Sequence, residues 1–244
     1  MTGKTHRAGG MLCAVVGFTL LKQNGLLLPD VNEGLQLLVM YPFCMWGSIA
    51  SDLDHHWESC PSKDIPSWCV NKVLHLTAPI QKQLESSGAK DTGICKFASL
   101  FNAKHRSWQT HSDLTLYAMI YILYQILYGS IFNSGTDIAI ASLVITGLCI
   151  GMIAHLVLDM LTPEGVWVFF LVFLNRGLKL KKIPEKIHFV PKSKFFATGG
   201  KWELLIQRLV KVATVIAILY LVLFVYYSGW IAYLPFEISF AGGA

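Results

Sequence analysis

Charged side chains are scarce in this sequence. Only 14% of its 244 residues are Asp, Glu, Lys or Arg, where soluble domains carry about a quarter. Together with a hydrophobic content of 54%, that scarcity excludes an ordinary soluble globule and points to a membrane protein before any segment is located. Cysteine pairs are lacking as well. Cys13, Cys44 and Cys149 lie within apolar runs, and Cys60, Cys69 and Cys95 are widely spaced with no CxxC pair. This speaks against a disulfide framework or a thiolate zinc site and favours free thiols. The N-terminal "MTGKTHRAGGMLCAVVGFTLL" has Lys4 and Arg7 before an apolar stretch but no clear A-x-A-like cleavage site, so it reads as a retained span. "TGKT" within it lacks the upstream glycine of a phosphate-binding loop. Internal repeats and low-complexity segments are absent.

What the sequence does have is long apolar runs, at residues 9–28, 34–50, 114–132, 138–161 and 209–227. A bilayer crossing needs about 20 mostly apolar residues. The short connections "PDVNE" and "NSGTD" carry no Lys or Arg, whereas residues 51–113 and the basic segment 175–208 carry many. The positive-inside rule therefore places those two basic segments in the cytoplasm and the short loops outside. The lysine-rich stretch beside the spans is expected to set topology or meet anionic lipid, with no nucleic-acid partner. Within 51–113, Cys69, Val73, Leu76, Ile80 and Leu84 recur at spacings of three and four, which predicts a helix that Pro79 kinks or splits and Gly88 caps. The whole chain, 1–244, is expected to be one all-α unit: a multi-span transmembrane helical bundle with a small cytoplasmic helical cap. Residues 166–174 are apolar but too short to span; they are expected to dip into the interface or pack under the helices.

Against this apolar background, "HLVLDMLTPEG" places His155 and Asp159 four residues apart inside the fourth run, on one face of a helix. A carboxylate at bilayer depth costs about 2.5–3.5 kcal/mol. The pair suits a metal platform, with a packed histidine and a helix-end aspartate as the structural alternative. "SDLDHH" supplies Asp52, Asp54, His55 and His56 after the second run, "HRSWQTHSD" supplies His105 and His111 before the third, and "THRAGG" supplies His6 before the first. The topology brings His6, Asp52, Asp54, His105, His111, His155 and Asp159 to one membrane face, a nitrogen and oxygen donor set for one or two zinc, manganese or iron ions. His55 is expected to orient an aspartate. Thr162 and Pro163 are expected to end the helix, with Glu164 either an acid near the site or an exposed loop charge.

These motifs, "THRAGG", "SDLDH", "HRSWQTHS" and "GMIAHLVLDMLTPEGVWVFF", together resemble the YdjM family of membrane-bound metal-dependent hydrolases. They run from residue 5 to about 170. Ser51, Ser107 and Ala154 stand where the family pattern has proline, glycine and serine, but the metal-binding positions are intact. The family is distantly similar to zinc-dependent phospholipases C and single-strand nucleases of the P1 type, so the resemblance implies hydrolysis of a phosphoester. The substrate is then expected to be a lipid or lipid-linked molecule at the cytoplasmic face of the inner membrane. In that reading Asp52 or Asp54 bridges ions or accepts a proton from water. Arg106 holds a phosphate, or else is only a topology charge. An ion or proton transporter using the same His/Asp cluster is the alternative; such sites usually lie near the midplane on broken helices.

Overall fold

A parallel seam between two helices determines where the polar residues end up. In the computed structural model the described residues are 1–29, 31–54, 60–76, 78–88, 94, 111–129, 135–172, 174–175, 184–190 and 199–233, with the backbone alone at 81 and 224–233. The chain is mostly helical: α1 (Gly3–Gln23), α2 (Glu33–Ala50), a 3-10 turn (Ser51–Asp54), α3 (Ile65–Leu74), α4 (Ala78–Ser86), α5 (Asp113–Tyr128), α6 (Gly135–Met160), a short α7 (Phe169–Val172) and α8 (Lys201–Tyr233). A small antiparallel ladder pairs β1 (Val166–Trp167) with β2 (Lys186–Ile187).

Helices α2 and α6 meet at every fourth residue. A side chain added at Gly147 would lie 2.6 Å from the Met40 carbonyl oxygen, and one at Gly151 would lie 2.1 Å from that of Cys44. One turn further, His155 Nδ1 lies 2.8 Å from the Ser48 carbonyl. Residue numbers rise together on both helices, so the two run parallel. Such close approach is how helices associate where lipid offers no hydrophobic drive between them. Helix α1 runs the other way along α6, with Gly9 against Leu158 and Gly17 against Ile150. Helix α8 follows α1, since Thr5 meets Glu203 near one end and Gln23 meets Tyr220 near the other.

By length and composition, α6 and residues Lys201–Leu223 of α8 could cross a membrane. Helix α5 is apolar but shorter, at 16 residues. Tyr117, Tyr121 and Tyr128 of α5 and Leu209, Val212, Val215 and Ile216 of α8 are all exposed. An apolar surface of that extent marks a lipid- or partner-facing boundary.

Local chemistry explains the ends of the elements. Asn32 caps α2 by accepting the Leu35 amide, and the buried Gln36 side chain closes the α1–α2 turn through the Leu28 and Val31 carbonyls. The helix expected in the 51–113 segment is split in two, α3 ending at Leu74 and α4 starting at Ala78, with Pro79 in the first turn of α4 and Gly88 at φ +81° after its end. Its apolar stripe does not turn inward. Ser67 and Asn71 are the buried residues of α3, while Val73, Leu76 and Ile80 are exposed. Asn71 donates to the Leu53 carbonyl and the Trp46 indole to Ser67, so polar contacts fasten α3 across the end of α2. Helix α6 ends at Met160, just before Thr162 and Pro163; the Thr162 hydroxyl donates to the Asp159 carbonyl at 2.8 Å. Val166 is buried with Met152 and Leu156, so the start of 166–174 packs under the helices.

The seam generates a stability prediction. Gly151→Ala should lower the melting temperature of the detergent-purified protein, because overpacking costs about 1–3 kcal/mol. Gly135→Ala, where an added side chain meets nothing within 4 Å, should leave it unchanged or slightly raised. Equal melting temperatures for the two variants would contradict the seam.

Candidate metal centre

The spacing-four stripe of α6 continues from Gly147 and Gly151 to His155 and Asp159, and that of α2 runs through Met40, Cys44 and Ser48 to Asp52 just beyond its end. The seam thus delivers one histidine and two carboxylates to the same place. His155 is fully buried. Its Nδ1–H donates to the Ser48 carbonyl, which leaves the Nε2 lone pair aimed inward; the hydrogen bond on one ring nitrogen sets the role of the other. Asp159 Oδ2 lies 3.3 Å from His155 Nε2, and Oδ1 lies 3.3 Å from both His6 Nε2 and the Met1 ammonium. The His6 ring stacks on His155 at 4.0 Å between centroids.

The 3-10 turn and His111 complete the pocket. His111 Nε2 is 3.4 Å from Asp52 Oδ1 and 3.8 Å from Asp159 Oδ2, while its Nδ1 is 3.5 Å from Asp54 Oδ2. Asp52 and Asp54 therefore grip opposite nitrogens of one ring. The His111 carbonyl accepts the Trp167 amide of β1, and Ser112 caps α5 through the Leu114 amide. Burial works against charge on Asp52, but His111, His155 and His6 outweigh it and hold this carboxyl well below the usual carboxylate range. Burial also works against a charged His111, yet Asp52 and Asp54 outweigh it and push the ring up to about 9. The pocket stabilises positive charge at this point.

The donors fit a metal ion. His6, His155 and Asp159 form one group, and Asp52, His111 and His155 another, whose ligand atoms lie within 4.8 Å of one another. Donors on a tetrahedral ion with bonds of about 2.0–2.2 Å stand roughly 3.3–3.6 Å apart, close to the 3.3–3.8 Å found here. Both His6 ring nitrogens, His155 Nε2 and Asp159 Oδ2 are buried without a hydrogen bond. Buried polar atoms are almost always satisfied, so His6 Nε2, His155 Nε2 and Asp159 Oδ2, which lie beside one another without a hydrogen bond, suit a cation between them.

Of the residues expected in the site, the structure brings together His6, Asp52, Asp54, His111, His155 and Asp159, with Asp54 reaching the others through His111. His55, His105 and Arg106 lie outside the described residues. Glu164 is exposed. Sequence reasoning missed Ser48 and Glu203. Buried Glu203 opens α8 and accepts the Thr2 amide, the Thr2 and Thr5 hydroxyls and the Gly199 amide at 2.5–2.7 Å, which fixes the turn that carries His6. Its signal was available as a lone acid at the head of an apolar helix.

The sequence model for "YdjM inner membrane protein" matches residues 1–232. The chain belongs to the YdjM family. The match extends beyond the motif-bearing residues through most of α8, the helix that holds Glu203. No curated protein and no solved structure matches the chain.

Within this YdjM-family site, a graded response to substitution is expected. His155→Ala and Asp159→Asn should each lower the amount of added zinc that the purified protein takes up. Asp54→Asn, which removes the carboxylate facing His111 Nδ1, should still bind added zinc but about 10–100-fold more weakly. Zinc titration against a chromophoric chelator reads both. Unchanged affinity in Asp159→Asn would remove this residue from the ligand set.

Proposed function

We propose that this protein is a multi-span, inner-membrane hydrolase that uses a divalent metal, with zinc the best match, to cleave a phosphoester of a lipid or lipid-linked molecule at the cytoplasmic face. The observation that carries this is the convergence of buried histidine and aspartate donors from α1, α6, the 3-10 turn and the segment before α5, several of them without hydrogen bonds. An all nitrogen and oxygen set is more typical of catalytic than of closed structural zinc.

The cluster lies at helix ends, not helix middles. His155 and Asp159 occupy the last turns of α6, and Asp52 follows the end of α2. A site at that depth meets head groups, which favours hydrolysis over midplane transport. The helix directions support the same arrangement: α1 and α8 run one way and α2 and α6 the other, as four of five alternating crossings would, with α5 returning the chain between α2 and α6. The 51–113 segment then forms a cytoplasmic cap over the site, in line with its many lysines and arginines against none in the two short loops.

Each residue has a distinct task. A bound divalent ion supplies Lewis acidity toward a phosphoryl oxygen and lowers the pKa of water to about 7. His6, His155 and Asp159 would hold the ion as one donor group, and Asp52, His111 and His155 as the other. The Ser48 carbonyl fixes the His155 ring, and Asp54 fixes that of His111. Asp52, held anionic beside His111, faces the shared space, where it would orient water beside the ion.

Purified, zinc-loaded protein should release phosphate or a phosphorylated head group from a phospholipid panel, and His155→Ala should reduce that to background while still inserting into membranes. Wild-type turnover in His155→Ala would overturn the reading. Orientation is testable at exposed Cys69 on α3. In a variant keeping only this cysteine, a membrane-impermeant maleimide should label inverted vesicles and not intact spheroplasts; the reverse would move the site to the outer face.

A further inference from the structure

Beside the cluster lies a cleft of about 220 Å³ between α2, α3, α5 and α6. Its walls are Trp46 and Ala50 of α2, Val70 and Leu74 of α3, Met119 of α5 and Met152 of α6, and its polar members are Ser51 and Thr115. The inner wall is made of the site's own neighbours. Ser51 precedes Asp52, Met152 stands one turn before His155, and Thr115 lies one turn into the helix that follows His111. The Ser51 hydroxyl is occupied by the Met152 sulfur at 3.2 Å and the Trp46 indole by Ser67 at 3.1 Å. Little is left in the cleft to hydrogen-bond a polar ligand.

The outward face of α3, away from the cleft, is apolar as well. Ile65, Trp68, Val73 and Leu76, on and just beyond α3, expose their side chains, although the buried contacts of that helix are polar. A second, larger cleft of about 660 Å³ lies at the opposite ends of α2 and α6, among Leu35, Gly135 and Ile138, and does not adjoin the cluster.

We propose that the cleft lined by Ala50, Val70, Leu74, Met119 and Met152 seats one fatty-acyl chain of the substrate, with its phosphoester at the His/Asp cluster. The proposal rests on the hydrolase reading for what happens to the head group, but the chain seat is tested by binding. Its volume of about 220 Å³ suits a single acyl chain, and its lining by Ser51, the residue before Asp52, would let a membrane enzyme read the chain and the phosphate together. Each methylene drawn into such a cleft should tighten binding about fourfold until it is full.

The probe is dodecyl phosphate carrying a diazirine at the chain end, irradiated with the full-length zinc-loaded protein in detergent and mapped by mass spectrometry. Labelling is expected on the segments holding Val70, Met119 and Met152. Unlabelled alkyl phosphates should compete more strongly as the chain lengthens from butyl to octyl. Val70→Trp and, as an independent variant from the same helix, Leu74→Trp should each cut labelling about tenfold or more. Label spread over the outward faces of α5 and α8, undiminished in both variants, would overturn the proposal, as would octyl phosphate competing no better than inorganic phosphate. Site-specific labelling without phosphate release from any lipid would retain the chain seat and remove the hydrolase reading. Phosphate release with scattered labelling would do the opposite.

Discussion

The close approach of α2 to α6 is the constraint on which the rest of the structure depends. Gly147 and Gly151 have no side chain to hold the helices apart, so the backbone of α6 rests against the Met40 and Cys44 carbonyls. The same four-residue register then sets His155 against Ser48 and places Asp159 near the turn that carries Asp52. A wider seam would leave the His155 ring without its carbonyl partner and separate the two halves of the donor set. Packing that is nonspecific in kind, with small residues in contact, becomes specific in consequence because the polar residues are in phase with it.

That phase has an electrostatic cost. Asp52, Asp54 and Asp159 are all buried, and buried carboxylates persist only when paired or coordinating. Imidazoles and the Met1 ammonium face Asp52 and Asp159 in the structure. A divalent ion would satisfy the same charges with more favourable geometry, and would engage the His155 and His6 nitrogens that have no hydrogen bond. The cluster thus reads as an arrangement destabilising on its own and stabilised by what it binds. Glu203 is the counterexample: a buried carboxylate whose four donors are supplied by the chain itself, used to hold the start of α1.

Much of the site was legible because its signals are local or compositional. A histidine and an aspartate four apart in an apolar run can share one helix face, and the Thr162–Pro163 stop is turn chemistry. The grouping of His6, Asp52, His111 and His155 followed from placing motifs at helix ends. Other features needed three dimensions. The 3-10 turn that puts Asp52 and Asp54 on opposite nitrogens of His111 cannot be read from "SDLD", where both aspartates look like equal ligands. The stripe through Val73, Leu76 and Ile80 announced helical structure but not which face would be covered, and the polar face of α3 is the one that packs. The Ser48 carbonyl carries no side-chain signal at all.

X-ray absorption at the zinc edge tests the central claim most directly. In zinc-loaded protein it should show nitrogen and oxygen neighbours at about 2.0–2.2 Å, the outer-shell pattern of at least two imidazoles, and loss of part of that pattern in His155→Ala. A shell containing sulfur at about 2.3 Å, or a spectrum unchanged by removing His155, would place the metal elsewhere and contradict the account.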